Sequence, residues 1–123
     1  MSQHHPGNLP ALPLDQSGLR SIDSVIEGYL PLLARLYPTP RRTIEVLRGI
    51  RDKLAPLLEP GGFPEGRAIA LTMEEVWALD IAVQGFSVAV RRRIAPSNER
   101  DGVIAELNKL HVYCERLLSA GRT

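Results

Sequence analysis

Between Thr72 and Ile94 the chain reads TMEEVWALDIAVQGFSVAVRRRI, a stretch that fits one helix apolar around most of its circumference. A surface helix needs a single apolar stripe. At about 100° per residue, Val76, Leu79, Val83, Phe86, Val90 and Ile94 form one stripe, and Ala78, Ala82, Gly85 and Ala89 form a seam of small side chains beside it. Trp77, Ile81 and Val88 make a third. Only Asp80, Gln84, Ser87 and Arg91 remain as a polar strip for water. Such a helix is the centre of a fold or half of an interface.

Three further helices are predicted to pack around it. The first runs from about Ser17 to Tyr37, with Ile22, Ile26, Tyr29, Leu33 and Leu36 on one face. Gly28 and Pro31 predict a kink in it, or a break into two short helices, because Pro31 removes one hydrogen bond and clashes with the preceding turn. The second starts with Thr39 as N-cap and Pro40 at the first helical position, and runs to about Leu58. Ile44, Leu47, Ile50, Leu54, Leu57 and Leu58 supply its apolar face.

Residues 59 to 71 are the one long connection, with Phe63 and Ile69 expected to tuck against the bundle. The helix at 72–94 then opens with Thr72 and Glu75 spaced for a capping box. Pro96 stops it, and Ser97 or Asn98 caps a last helix to about Ala120. Val103, Leu107, Leu110, Cys114 and Leu117 line that helix, widened by Ile104, His111 and Leu118. No alternating strand pattern occurs.

With 123 residues, 44% of them hydrophobic, the chain has the size and composition of one domain. Short connections within the first and last helix pairs favour antiparallel neighbours. The expected fold is therefore all-α: a four-helix up-down-up-down bundle over residues 15–121, with a kinked first helix and a flexible or extended tail at 1–14. One cysteine allows no internal disulfide. No signal-like or spanning apolar segment is evident, so a cytoplasmic setting without membrane contact is expected.

A net charge of +1 excludes a strong whole-molecule field, so any anion binding must come from local clustering. Alternating helices would gather Arg35, Arg41, Arg42, Arg91, Arg92, Arg93 and Arg100 at one pole, against Glu45, Glu99 and Asp101, while Glu59, Glu65, Glu74 and Glu75 take the other. Arg91 to Arg93 complement the negative end of a helix dipole. Arg41 and Arg42 do not: they sit in a first turn, where cations oppose the dipole by about 0.3 to 1 kcal/mol each. A broken local rule is where a phosphate-binding site can hide. Charge runs are nevertheless most often solvated faces.

No motif for catalysis is present. His111 and Cys114 share a helix face, but two ligands do not make a metal site, and a cysteine on an apolar stripe is a packing residue first. His4 and His5 in the tail are the remaining histidines. Glu74 and Glu75 point about 100° apart and the second is explained by capping. Gly61 and Gly62 lack the lysine of a phosphate loop. Neither catalytic residues nor cofactors nor metal ligands are expected.

What remains is contact. Ala78, Ala82, Gly85 and Ala89 let another helix approach closely. That helix belongs either to the same chain or to a second copy, and a small domain rarely surrounds one helix completely. The expected role is a non-catalytic interaction or accessory module, a homodimer or a binder of another protein through Trp77, Ala78, Ile81, Ala82, Gly85, Val88 and Ala89. The alternative is a nucleic-acid-associated subunit holding phosphate through the arginine-rich pole.

Overall fold

The computed structural model describes residues 16–59 and 70–121, and these form four helices: α1 (Gln16–Ala34), α2 (Arg41–Leu58), α3 (Met73–Arg93) and α4 (Asn98–Gly121). No strand forms among the described residues. The tail at 1–14, its histidines, and Phe63, Glu65 and Ile69 lie outside them. Each helix gives one face to a common core. Ile22, Ile26 and Leu33 enter it from α1, Leu47, Ile50 and Leu54 from α2, Val76, Leu79 and Val83 from α3, and Leu107, Leu110 and Leu117 from α4. These are the residues whose 3–4 spacing marked an apolar stripe.

α1 is continuous through Gly28 and Pro31, so it does not break into two. The carbonyl that loses its donor to Pro31 belongs to Glu27, and both residues are exposed, which leaves that carbonyl on the water side. α1 also ends three residues before Tyr37, its last turn tightened by Arg35 and Leu36 amides bonded to the Leu32 and Leu33 carbonyls. Thr39 does not cap α2. Its hydroxyl instead donates to the Leu36 carbonyl at 2.8 Å, and Pro40 occupies the cap with no side-chain bond. Ser97 does cap α4, accepting from the Arg100 amide at 3.1 Å.

Within each short-linked pair the helices are antiparallel. Arg51 of α2 reaches Asp23 of α1 at 2.8 Å, and His111 of α4 reaches Asp80 of α3 at 2.7 Å, each pairing centred on its connection. The two pairs do not continue the alternation. Arg42 and Lys53, eleven positions apart on α2, both reach the first turn of α3, so α3 starts across α2 instead of running back from its end. The first halves of α1 and α4 together wall a groove of about 800 Å³. In an up-down-up-down bundle those ends would lie at opposite poles. The 59–72 connection is long enough to let the second hairpin lie across the first.

The crossing point explains two glycines. A Cβ on Gly28 would clash with the edge of the Phe86 ring, and one on Gly85 would clash with the hydroxyl end of the Tyr29 ring. α1 and α3 thus exchange an aromatic ring for a missing side chain in both directions. The close approach expected of the small-residue seam is made inside the monomer, where Ala78 and Ala82 are also buried.

Candidate functional site

α3 is anchored at its first turn. The Thr72 hydroxyl accepts from the Glu75 amide at 3.1 Å, and Glu75 Oε1 accepts from the Thr72 amide at 2.9 Å, closing the capping box. The same Glu75 oxygen receives Lys53 Nζ at 2.6 Å. Beside it, Arg42 grips Glu74 with two bonds of 2.9 and 2.6 Å. That pair raises the pKa of the guanidinium and lowers that of the carboxyl. The helix therefore starts from a fixed point on α2.

Beyond this anchor α3 is covered on every side but one. Between Glu74 and Arg91 its exposed residues are Glu74, Trp77, Ile81, Gln84, Val88 and Arg91, at spacings of three, four, three, four and three. That is the a and d seam of a heptad pattern. Trp77, Ile81 and Val88 are 47%, 49% and 48% exposed, each standing on the same line. Large side chains scattered singly need no explanation, whereas aligned ones on an otherwise covered helix do.

Seven residues were candidates for an interface, and the structure divides them. Trp77, Ile81 and Val88 lie on the open line, while Ala78 and Ala82 are buried, Gly85 is half-buried against Tyr29 of α1, and Ala89 is half-buried. Asp80 is corrected in the other direction. Placed on the water-facing strip by its polarity, it is only 7% exposed and faces α4. Its Oδ1 meets His111 Nδ1 at 2.7 Å, its Oδ2 accepts from Gln84 Nε2 at 2.8 Å, and His111 Nε2 meets Glu115 Oε1 at 2.5 Å.

The result is an imidazole held between two carboxylates along one edge of the open face. The hydrogen bond that the imidazole donates to Asp80 is the main cause that raises the His111 pKa; burial opposes it, and the charges of Asp80 and Glu115 add to it. Neither ring nitrogen turns to Cys114. That thiol is fully buried, and burial pushes its pKa up to about 12, far from the accessible thiolate that nucleophilic chemistry needs. Among the described residues, no three His, Cys, Asp or Glu side chains are placed to hold a metal ion. No described helix is long and apolar enough to cross a membrane.

The expected arginine pole is dispersed. Arg91, Arg92, Arg93 and Arg100 do share one end, where Arg100 donates to the Ile94 carbonyl at 3.2 Å. Arg42 is committed to Glu74, which stands 17 positions before Arg91 on α3, about 25 Å away at 1.5 Å per residue. Arg41 stays with Arg42 at the start of α2. The separation follows from the crossed hairpins, since the cluster required alternating helices.

The polar edge built on Asp80 and His111 was not foreseen. Its only trace is a carboxylate among apolar residues on one helix and a histidine within the stripe of another. Comparison with models of known protein families, with curated proteins and with solved structures gives no match to this chain.

Proposed function

We propose that this chain is a non-catalytic interaction module that self-associates through the outer face of α3. The observation that carries this reading is the heptad-spaced line of exposed residues, with Trp77, Ile81 and Val88 half-exposed on a helix otherwise covered by its own chain. Aromatic anchors surrounded by apolar neighbours are where binding energy concentrates. Free of any partner, the line costs the monomer the exposure of three large side chains.

Replacing Trp77 by glutamate tests it. Because the indole is half-exposed in the monomer, the helical circular-dichroism spectrum should be retained, while light scattering should fall from the mass of two chains to that of one and the stability against urea should fall by the free energy of association. A wild-type protein of one-chain mass at every accessible concentration overturns self-association.

A second reading, an accessory subunit on nucleic acid, draws on Arg91, Arg92 and Arg93, which form no ion pair with a described residue. Salt-sensitive retention on RNA or DNA, lost on reversal of those charges, would be its mark.

A further inference from the structure

The order of residues along the open face says how two copies would meet. Counted from its midpoint between Ile81 and Gln84, the seam reads outward as Ile81, Trp77, Glu74 in one direction and Gln84, Val88, Arg91 in the other. The two ends carry opposite charge. In a parallel pair of helices each seam position faces itself, which would set Glu74 against Glu74 and Arg91 against Arg91, both desolvating like charges. In an antiparallel pair, a positions face d positions. Glu74 then faces Arg91, Trp77 faces Val88 and Ile81 faces Gln84, each pairing occurring twice about the two-fold axis, as a self-complementary interface requires.

A second observation falls at the same place. Beside Val88 lies a depression of about 240 Å³ between α3 and α4, bordered by Gln84, Ser87, Val88, Arg91, Asn108 and His111. It is too small for a typical small-molecule site, which runs from about 300 to 1,000 Å³. A single side chain is the scale it suits. The antiparallel register delivers one there, since the residue opposite Val88 is Trp77. Knob and hole thus lie on one surface at positions that two-fold symmetry brings together. The rim can also answer the indole N–H, which is a donor only, through the Asn108 or Gln84 side-chain carbonyl.

We infer that two copies of the chain pair antiparallel along α3, each placing Trp77 in the depression between the partner's α3 and α4, with Glu74 facing Arg91 at both ends. This rests on the self-association reading and adds its orientation and its anchor. Arg42 does not prevent the end pairing. Its two bonds leave Glu74 half-exposed, and a carboxylate offers about four lone-pair sites.

Cross-linking distinguishes the orientation from association itself. Glu74→Cys and Arg91→Cys, both exposed positions that leave Trp77, Ile81 and Val88 intact, are prepared separately and treated with a short bis-maleimide, alone and as an equimolar mixture. Cys114 is buried and unreactive. The antiparallel pair gives a cross-linked product in the mixture and at most a trace with either variant alone. A product from Glu74→Cys alone at about twice the yield of the mixture, where only the homodimers can be linked, establishes the parallel arrangement and overturns the inference. So does the absence of product in every sample while the wild-type mass is that of two chains, and in that case self-association stands. A wild-type mass of one chain removes both. Filling the depression with Asn108→Trp, on the exposed side of α4, gives an independent readout: the paired form should dissociate at least tenfold more readily, and an unchanged dissociation constant rejects the anchor.

Discussion

Gly85→Ala is expected to destabilise the protein by about 1 to 3 kcal/mol, the range for forcing extra volume into a packed site. Helix propensity argues for the opposite, since alanine in a helix interior is favoured over glycine by about 1 kcal/mol. The clash decides the sign. An added Cβ would overlap the hydroxyl end of the Tyr29 ring, and that ring is packed against the core and must shift to admit it. Urea unfolding of four proteins tests the account: wild type, Gly85→Ala, Tyr29→Ala and the double variant. In the Tyr29→Ala background the obstruction is gone, so Gly85→Ala should turn from a loss into a gain approaching 1 kcal/mol. A loss of equal size in both backgrounds would show that Tyr29 is not the cause.

This pair also marks what could be read without coordinates. Gly85 was legible as a site of close approach, because a glycine inside an apolar helix signals a neighbour. Which neighbour was not, since the partner ring belongs to Tyr29, 56 positions earlier in the chain. Gly28 carried the same signal but stood next to Pro31, where a helix interruption was the simpler reading. Local features fared best. The capping box at Thr72 and Glu75 depends on four consecutive residues and forms as expected, whereas Thr39 was diverted by a carbonyl at the end of the preceding helix.

Helix direction is the part that periodicity cannot supply. A stripe of apolar residues packs equally well with its helix pointing either way, so orientation follows from connection length. The two short connections enforced antiparallel hairpins, and the long one between α2 and α3 left the hairpins free to cross. The arginine pole depended on that unconstrained choice. The open line on α3 did not. Trp77, Ile81 and Val88 stand out because three neighbouring helices cannot cover every side of a fourth. Asp80 was misplaced for a related reason: polarity alone sends a residue to water, and only its meeting with His111 makes burial tolerable.

That meeting sets the pH dependence of stability. The folded protein raises the His111 pKa above its ordinary value of 6.5. A histidine of raised pKa contributes stability that is fully present below its unfolded pKa and lost as pH rises through the folded one. Stability should therefore be flat on the acid side of 6.5 as far as this group is concerned, and decline above it until His111 is neutral in the folded protein as well. The slope between those limits cannot exceed about 1.4 kcal/mol per pH unit for one proton. Substituting His111 should remove the slope and substituting Asp80 should weaken it, since Glu115 stays beside the ring, and the two losses of stability differ. Asp80→Ala leaves an imidazole that is a third exposed and can be solvated, so the cost is about 1 kcal/mol. His111→Ala strands a buried carboxylate with Gln84 as its remaining bonded partner, and the cost rises to about 1.5 to 3 kcal/mol, the range for a hydrogen bond to a charged group. Urea unfolding of the three proteins from pH 5 to 9 reads both effects. A wild-type slope that survives in His111→Ala would assign it to another group, and equal losses for the two variants would show that Asp80 does not depend on His111 for its place inside the fold.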